Sequence, residues 1–158
     1  MSRTLIGAAA LSLLAGVAMA AGTGKHGHDD EMAAGRAGDA TGATRTVEMT
    51  MRELDTGEMV FEPSDLSFAE GETVRFVITN AGLAEHEFVL DSMAKNAEHK
   101  ALMERFPEME HDDPNAVRLE PGETSEIVWT FSKPGGFEFA CLLPGHYEAG
   151  MHGPVSVN

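Results

Sequence analysis

Short runs in which every second residue is apolar, each closed off by Gly or Pro, fill most of this chain beyond residue 44 and restrict what it can fold into. Val47, Met49 and Met51 alternate with Glu48 and Thr50; Val74, Phe76 and Ile78 with Arg75, Val77 and Thr79; Ile127, Trp129 and Phe131 with Glu126, Val128 and Thr130. Side chains of an extended strand point alternately to its two faces, so each run offers one face to a core. Turns separate the runs at Glu70-Gly71-Glu72, Asn80-Ala81-Gly82, Pro121-Gly122-Glu123 and Pro134-Gly135-Gly136, where Pro presets φ and Gly permits positive φ. The spacing predicts an all-β fold built as a β-sandwich. One interruption is expected: Asp91 or Ser92 can cap a short helix through Ala94, Ala97, Ala101 and Leu102 that stops before Pro107, an insertion between strands.

The first 44 residues lack this period. Arg3, a 13-residue apolar run from Leu5 to Val17 and the small-x-small triplet Ala18-Met19-Ala20 have the form of an export signal cleaved after Ala20. That run falls short of the roughly 20 apolar residues a membrane span needs, and no later segment approaches that length. The expectation is therefore a signal peptide at 1–20, a periplasmic mature protein without a membrane span, a flexible tail at 21–44 and a folded domain at 45–158. Within the tail, Lys25-His26-Gly27-His28-Asp29-Asp30-Glu31-Met32 gathers two imidazoles, three carboxylates and a thioether. His26, His28 and Met32 are candidate ligands for a weakly held copper or zinc ion, against the plainer reading of a solvated polar tail.

Charge and cysteine content narrow the function. With 26 Asp and Glu against 11 Lys and Arg, the formal charge is −15, which repels a phosphate backbone and excludes nucleic acid as a partner. An acidic surface would instead steer the chain, expected to be a monomer, toward a basic partner. Cys141 is the sole cysteine, so neither an intrachain disulfide nor a site made of several thiolates can form.

Phe137, Phe139 and Cys141 alternate with Glu138 and Ala140, which places the thiol at a strand end on the side of two rings. His146 and Met151 follow, giving Cys-x4-His-x4-Met on a loop punctuated by Pro144, Gly145 and Gly150. A thiolate, an imidazole and a thioether on one loop suit a soft metal. A second imidazole should come from elsewhere, and His86 alone opens a strand, His86-Glu87-Phe88-Val89-Leu90, just after a turn.

The set His86, Cys141, His146 and Met151 resembles the type 1 copper site of the cupredoxins, Greek-key β-sandwiches that include plastocyanin, pseudoazurin and azurin. The resemblance covers roughly Thr46 to Asn158. It implies one copper held by two imidazoles and a thiolate with Met151 as weak axial ligand, an arrangement suited to both copper oxidation states. Three positions depart from the family pattern: Glu87 stands where Asn often ties the ligand loops together, Leu142 replaces a common Ser or Thr, and Glu85 occupies the place of an azurin Gly. The chain is most similar to exported cupredoxins associated with bacterial copper tolerance, which combine Asn-x-Gly…His-Glu-Phe with a Cys-x4-His-x4-Met loop and a His/Met-rich tail. A second candidate metal region lies in the insertion, where His99 and Met103 share a helical face and Met109 and His111 follow; there the alternative is that Met103 packs while the acids face water.

Copper tolerance, by sequestration or redox handling of copper, is the function this implies, with a periplasmic electron carrier as the alternative. An enzyme fits less well, because Ala140-Cys141-Leu142 lacks the His-Cys-His run of a multicopper oxidase. Oxidation of Cu(I) is the activity left open.

Overall fold

The alternating runs become strands of a two-sheet sandwich. The computed structural model describes residues 31–107, 109 and 113–158. Among these the order is β1 (Arg36–Ala37), β2 (Arg45–Glu53), β3 (Met59–Glu62), β4 (Leu66–Phe68), β5 (Thr73–Asn80), β6 (His86–Asp91), α1 (Met93–Met103), β7 (Ala116–Leu119), β8 (Thr124–Thr130), β9 (Gly135–Ala140) and β10 (His152–Val157). One sheet runs β1-β8-β5-β2-β3 and the other β4-β10-β9-β6-β7. The chain therefore changes sheet between β3 and β4, β4 and β5, β5 and β6, β7 and β8, and β8 and β9.

Period two is visible in the burial of β5, where Val74, Phe76 and Ile78 are enclosed while their neighbours are half-buried. Phe76 meets Phe88 of the facing sheet with ring centroids 5.7 Å apart, and Phe61, from β3 of the first sheet, reaches across to the same cluster. Phe88 stacks on Phe139 with centroids 6.0 Å apart, and Phe61 meets Phe139 edge-on at 5.1 Å. Such pairs contribute about 0.5–1.5 kcal/mol each beyond the area they bury.

The helical insertion forms where the cap residues place it: Ser92 Oγ accepts the Lys95 amide at 3.3 Å. It packs on β6 and β9, so the second sheet is covered on both faces. For this reason β6 is buried from His86 to Leu90, and Glu138, on the face of β9 opposite Phe139, is buried as well. Met103, expected as a candidate ligand beside His99, is instead enclosed in the core while Leu102 and Phe106 are exposed. A methionine at that position has more apolar neighbours to gain by turning inward.

Residues 31–44, expected as the end of a flexible tail, lie against the first sheet. Arg36 pairs with Thr130 and Ala37 with Trp129, Ala34 is buried, and the Trp129 indole donates to the Ala34 carbonyl at 3.4 Å. Ser132 Oγ donates to Glu31 at 2.6 Å. Composition misled here because small residues serve close packing as well as flexibility: a Cβ on Gly35 would overlap the Thr130 carbonyl, and Gly35 sits at φ +139°. The segment covers the β8 edge, whose backbone groups would otherwise be open. Residues 1–20, His26 and His28 lie outside the described residues. No helix among the described residues is long and apolar enough to cross a membrane.

Candidate metal centre

His86 is delivered by a turn that Asn80 holds together. The buried Asn80 amide donates to the carbonyls of Ala84 at 2.8 Å and Leu119 at 2.9 Å, and its oxygen accepts the Gly82 amide at 2.9 Å. This explains the side-chain chemistry of Asn80-Ala81-Gly82: one amide satisfies three backbone groups and aims the start of β6 inward.

Cys141 follows directly on β9, and the loop after it is closed by its own backbone. The Cys141 amide donates to the Met151 carbonyl at 3.0 Å, the Met151 amide to the His146 carbonyl at 3.1 Å, and the His146 amide to the Leu143 carbonyl at 3.0 Å. Gly150, at φ +100°, supplies the reversal that returns the chain to β10. Met151 is fully enclosed.

The sulfur and the two imidazoles converge. Ligand atoms of His86, Cys141 and His146 all lie within 4.8 Å of one another. Cys141 Sγ is 3.3 Å from His146 Nδ1, and the Nδ1 atoms of His86 and His146 are 3.2 Å apart. Atoms spaced in this way can share one ion at the roughly 2.0–2.3 Å reach of nitrogen and thiolate ligands. The donor set fits copper: a thiolate and two imidazoles, with the enclosed Met151 thioether on the same loop.

Electrostatics favours neutral ligands before the metal arrives. Burial holds His86 below the ordinary histidine value, partly offset by Glu53. His146 is lowered by burial and by the proximity of His86. Burial pushes the Cys141 thiol up to about 12, although the Glu87 and Leu143 amides that face the sulfur pull the other way. The Glu87 amide donates to the sulfur at 3.3 Å, so where Glu87 departs from the family pattern in its side chain, its backbone still supplies a hydrogen bond to the thiol. The Glu85 carboxylate is drawn toward Arg118 at 3.9 Å.

Sequence reasoning missed Glu53. At the end of β2 its carboxylate accepts the Leu83 amide at 2.8 Å and the Ala84 amide at 2.9 Å, and lies 3.1 Å from His86 Nε2. Burial raises its pKa, but these amides and His86 more than compensate, leaving the carboxyl below its usual range. No local motif marks this residue. The signal lies in the parallel pairing of β2 and β5, which sets Met51 beside Asn80 and so carries Glu53 to the turn.

The secondary candidates are not gathered into a comparable cluster among the described residues. His99 and Met109 line a cavity of about 350 Å³ with Asp91, Lys95, Glu98, Leu102 and Asp113; Met103 is in the core, and His111 lies outside the described residues. Met32 packs against the core rather than standing in a loose chelating tail.

A β-sandwich that buries a Cys-His-His cluster with a methionine on the cysteine's loop defines a type 1 copper protein. Residues 45–158 match the model of the copper binding proteins of the plastocyanin/azurin family, and the chain belongs to that family. It is 50% identical over 134 residues, 85% of this chain and 79% of the relative, to the copper-resistant cuproprotein CopI of Rubrivivax gelatinosus. It is 36% identical over 152 residues, 78% of this chain and 81% of the relative, to the protein of that name from Pseudomonas aeruginosa. Among solved structures, auracyanin B superposes with a TM-score of 0.62 at 25% identity, covering 77% of this chain and 94% of that one. Copper is the metal of this family, and His86, Cys141 and His146 are placed to hold it.

Proposed function

We propose that this is an exported, periplasmic cupredoxin of copper tolerance that sequesters copper or handles it by changing its oxidation state. The observation that carries the reading is the converging His86, Cys141 and His146 cluster in a chain half identical, over 85% of its length, to a copper-resistant cuproprotein. His86 and His146 would hold the ion through unprotonated ring nitrogens, Cys141 through its sulfur after loss of the thiol proton, and Met151 would add its thioether. Bound copper supplies one-electron exchange between Cu(II) and Cu(I). The surrounding core excludes water, and only His146 among the three clustered ligands is partly open to solvent, which makes it the route by which ions or electrons reach the site. His26 and His28 would add a second, weaker capture point ahead of the folded domain.

A monomeric electron carrier is the second reading, favoured by the −15 formal charge and the partial exposure of His146, both suited to docking with a basic redox protein. In neither reading is the protein an enzyme, unless turnover of Cu(I) to Cu(II) is the handling itself. Growth of a deletion strain across copper concentrations separates them. Restoration of tolerance by the wild-type gene and not by Cys141→Ala supports the tolerance role. Unchanged tolerance in the deletion strain, with slowed electron delivery to an oxidase, would establish the carrier.

A further inference from the structure

We propose that Glu53 is a positioning residue for the copper site: its carboxylate fixes the His86 ring with the proton on Nε2, leaving Nδ1 for the metal, and sets a negative charge one imidazole away from the ion. The inference rests on copper binding at the four-ligand site and not on the tolerance role.

Geometry supports it from three sides. Glu53 Oε1 lies 3.1 Å from His86 Nε2, and the nitrogen that faces His146 is Nδ1. A carboxylate only accepts, so the shared hydrogen belongs to the imidazole and the other nitrogen keeps its lone pair for a metal. The carboxylate cannot drift, because amides of Leu83 and Ala84 hold one oxygen each. Space is reserved for the arrangement as well: a Cβ on Gly82 would collide with both the Glu53 carboxylate and the His86 ring, so the glycine of the Asn-Ala-Gly turn leaves room for their contact.

A carboxylate hydrogen-bonded to a ligating imidazole makes it a stronger donor and orients it. A fixed negative charge also favours the doubly charged Cu(II) over Cu(I). Glu53 therefore lowers the reduction potential and tightens Cu(II) more than Cu(I).

The test uses the full-length copper protein. Glu53→Gln removes the charge and keeps an oxygen toward His86 and Ala84, while its NH2 faces the Leu83 amide and gives up that one hydrogen bond. It should raise the reduction potential by about 59 mV, the one-electron equivalent of a tenfold relative loss of Cu(II) affinity, with the visible band nearly in place. Glu53→Ala should raise the potential at least as far and also move the band and the copper hyperfine splitting, since the ring loses its anchor. Folded variants with wild-type potential and spectra would overturn the proposal and leave Glu53 as a loop anchor only. Nitrogen-15 NMR of the metal-free wild type gives a check independent of any variant: His86 should carry its proton on Nε2, and the Nδ1–H tautomer would overturn the assignment. A wild-type protein that takes up no copper while showing the Nε2–H tautomer would instead count against the metal site itself.

Discussion

The amide of Cys141 donates to the carbonyl of Met151 at 3.0 Å, so the first and last ligands of the loop are joined through the backbone without help from a metal. This bond and the Met151–His146 bond beneath it fix the Met151 backbone whether or not the thioether binds. Met151→Leu should therefore keep the loop and retain copper. An apolar axial neighbour favours Cu(I), and the potential should rise by about 59 mV for each tenfold shift toward that state. Voltammetry on the purified variant checks this, and a fall in potential would remove Met151 from the ligand set.

Cys141 carries the optical signature. Cys141→Ala should abolish the intense thiolate-to-copper absorption of the Cu(II) protein. With both imidazoles already neutral and the thiol pushed up to about 12, the wild type should release about one proton per copper bound at neutral pH, measurable in a weakly buffered titration. The variant should release close to none.

The same groups give the metal-free protein a stability maximum in pH. Burial holds His86 and His146 below the ordinary histidine value in the folded state, so as pH falls through about 6.5 the unfolded chain takes up their protons first. Stability rises with pH wherever the unfolded state binds more protons, and it is therefore lost on acidification through this range. At the alkaline end the unfolded Cys141 loses its proton near 9.0 while the folded thiol keeps it to about 12, and stability falls again. Urea midpoints from pH 5 to 10 test both limbs. His146→Gln should flatten the acid limb, and an unchanged slope would contradict the assignment.

Helix α1 reaches the ligand loop through Asn96 and Lys100. Asn96 donates to the Glu138 carboxylate at 3.1 Å, whose other oxygen accepts the Tyr147 hydroxyl at 2.9 Å, and Lys100 pairs with Glu148. Asn96→Ala should cost about 1–3 kcal/mol, because Glu138 stays buried with a donor removed. Lys100→Ala, at the solvent-facing pair, should change stability little. Thermal unfolding of the two variants side by side decides this.

The packed segment before β2 divides N-terminal truncations into two classes. Removing residues through Asp30 should leave stability and the visible band unchanged while lowering the copper bound beyond the first ion, if His26 and His28 collect it. Removing residues through Thr44 should also lower the melting temperature, by roughly 4 °C per kcal/mol lost, because Ala34 and β1 leave the β8 edge. Metal analysis and calorimetry read the two effects separately.

Much of this was legible in the chain itself. Val74, Phe76 and Ile78 announce a half-buried strand, Ser92 a helix start, and Cys141, His146 and Met151 a ligand loop, because each signal is carried by residues close in sequence. His86 was found from its place at a strand opening. What was not legible depends on pairing between distant segments. Glu53 acts on a histidine 33 positions away, Trp129 takes its acceptor from Ala34, 95 positions earlier, and Glu138 is buried by a helix whose packing its own strand cannot reveal. The inward turn of Met103 belongs to the same class.

The last strand, β10, lies between β4 and β9, and three of the four ligands fall within the final 18 residues of the chain, Cys141 to Asn158. His86, on β6, thus depends for its partners on a loop that comes much later in the sequence. That loop cannot close until β10 has slotted into place. Pairing of β10 with β9 and closure of the ligand loop are therefore one event, and the donors of the site come together only in the finished second sheet.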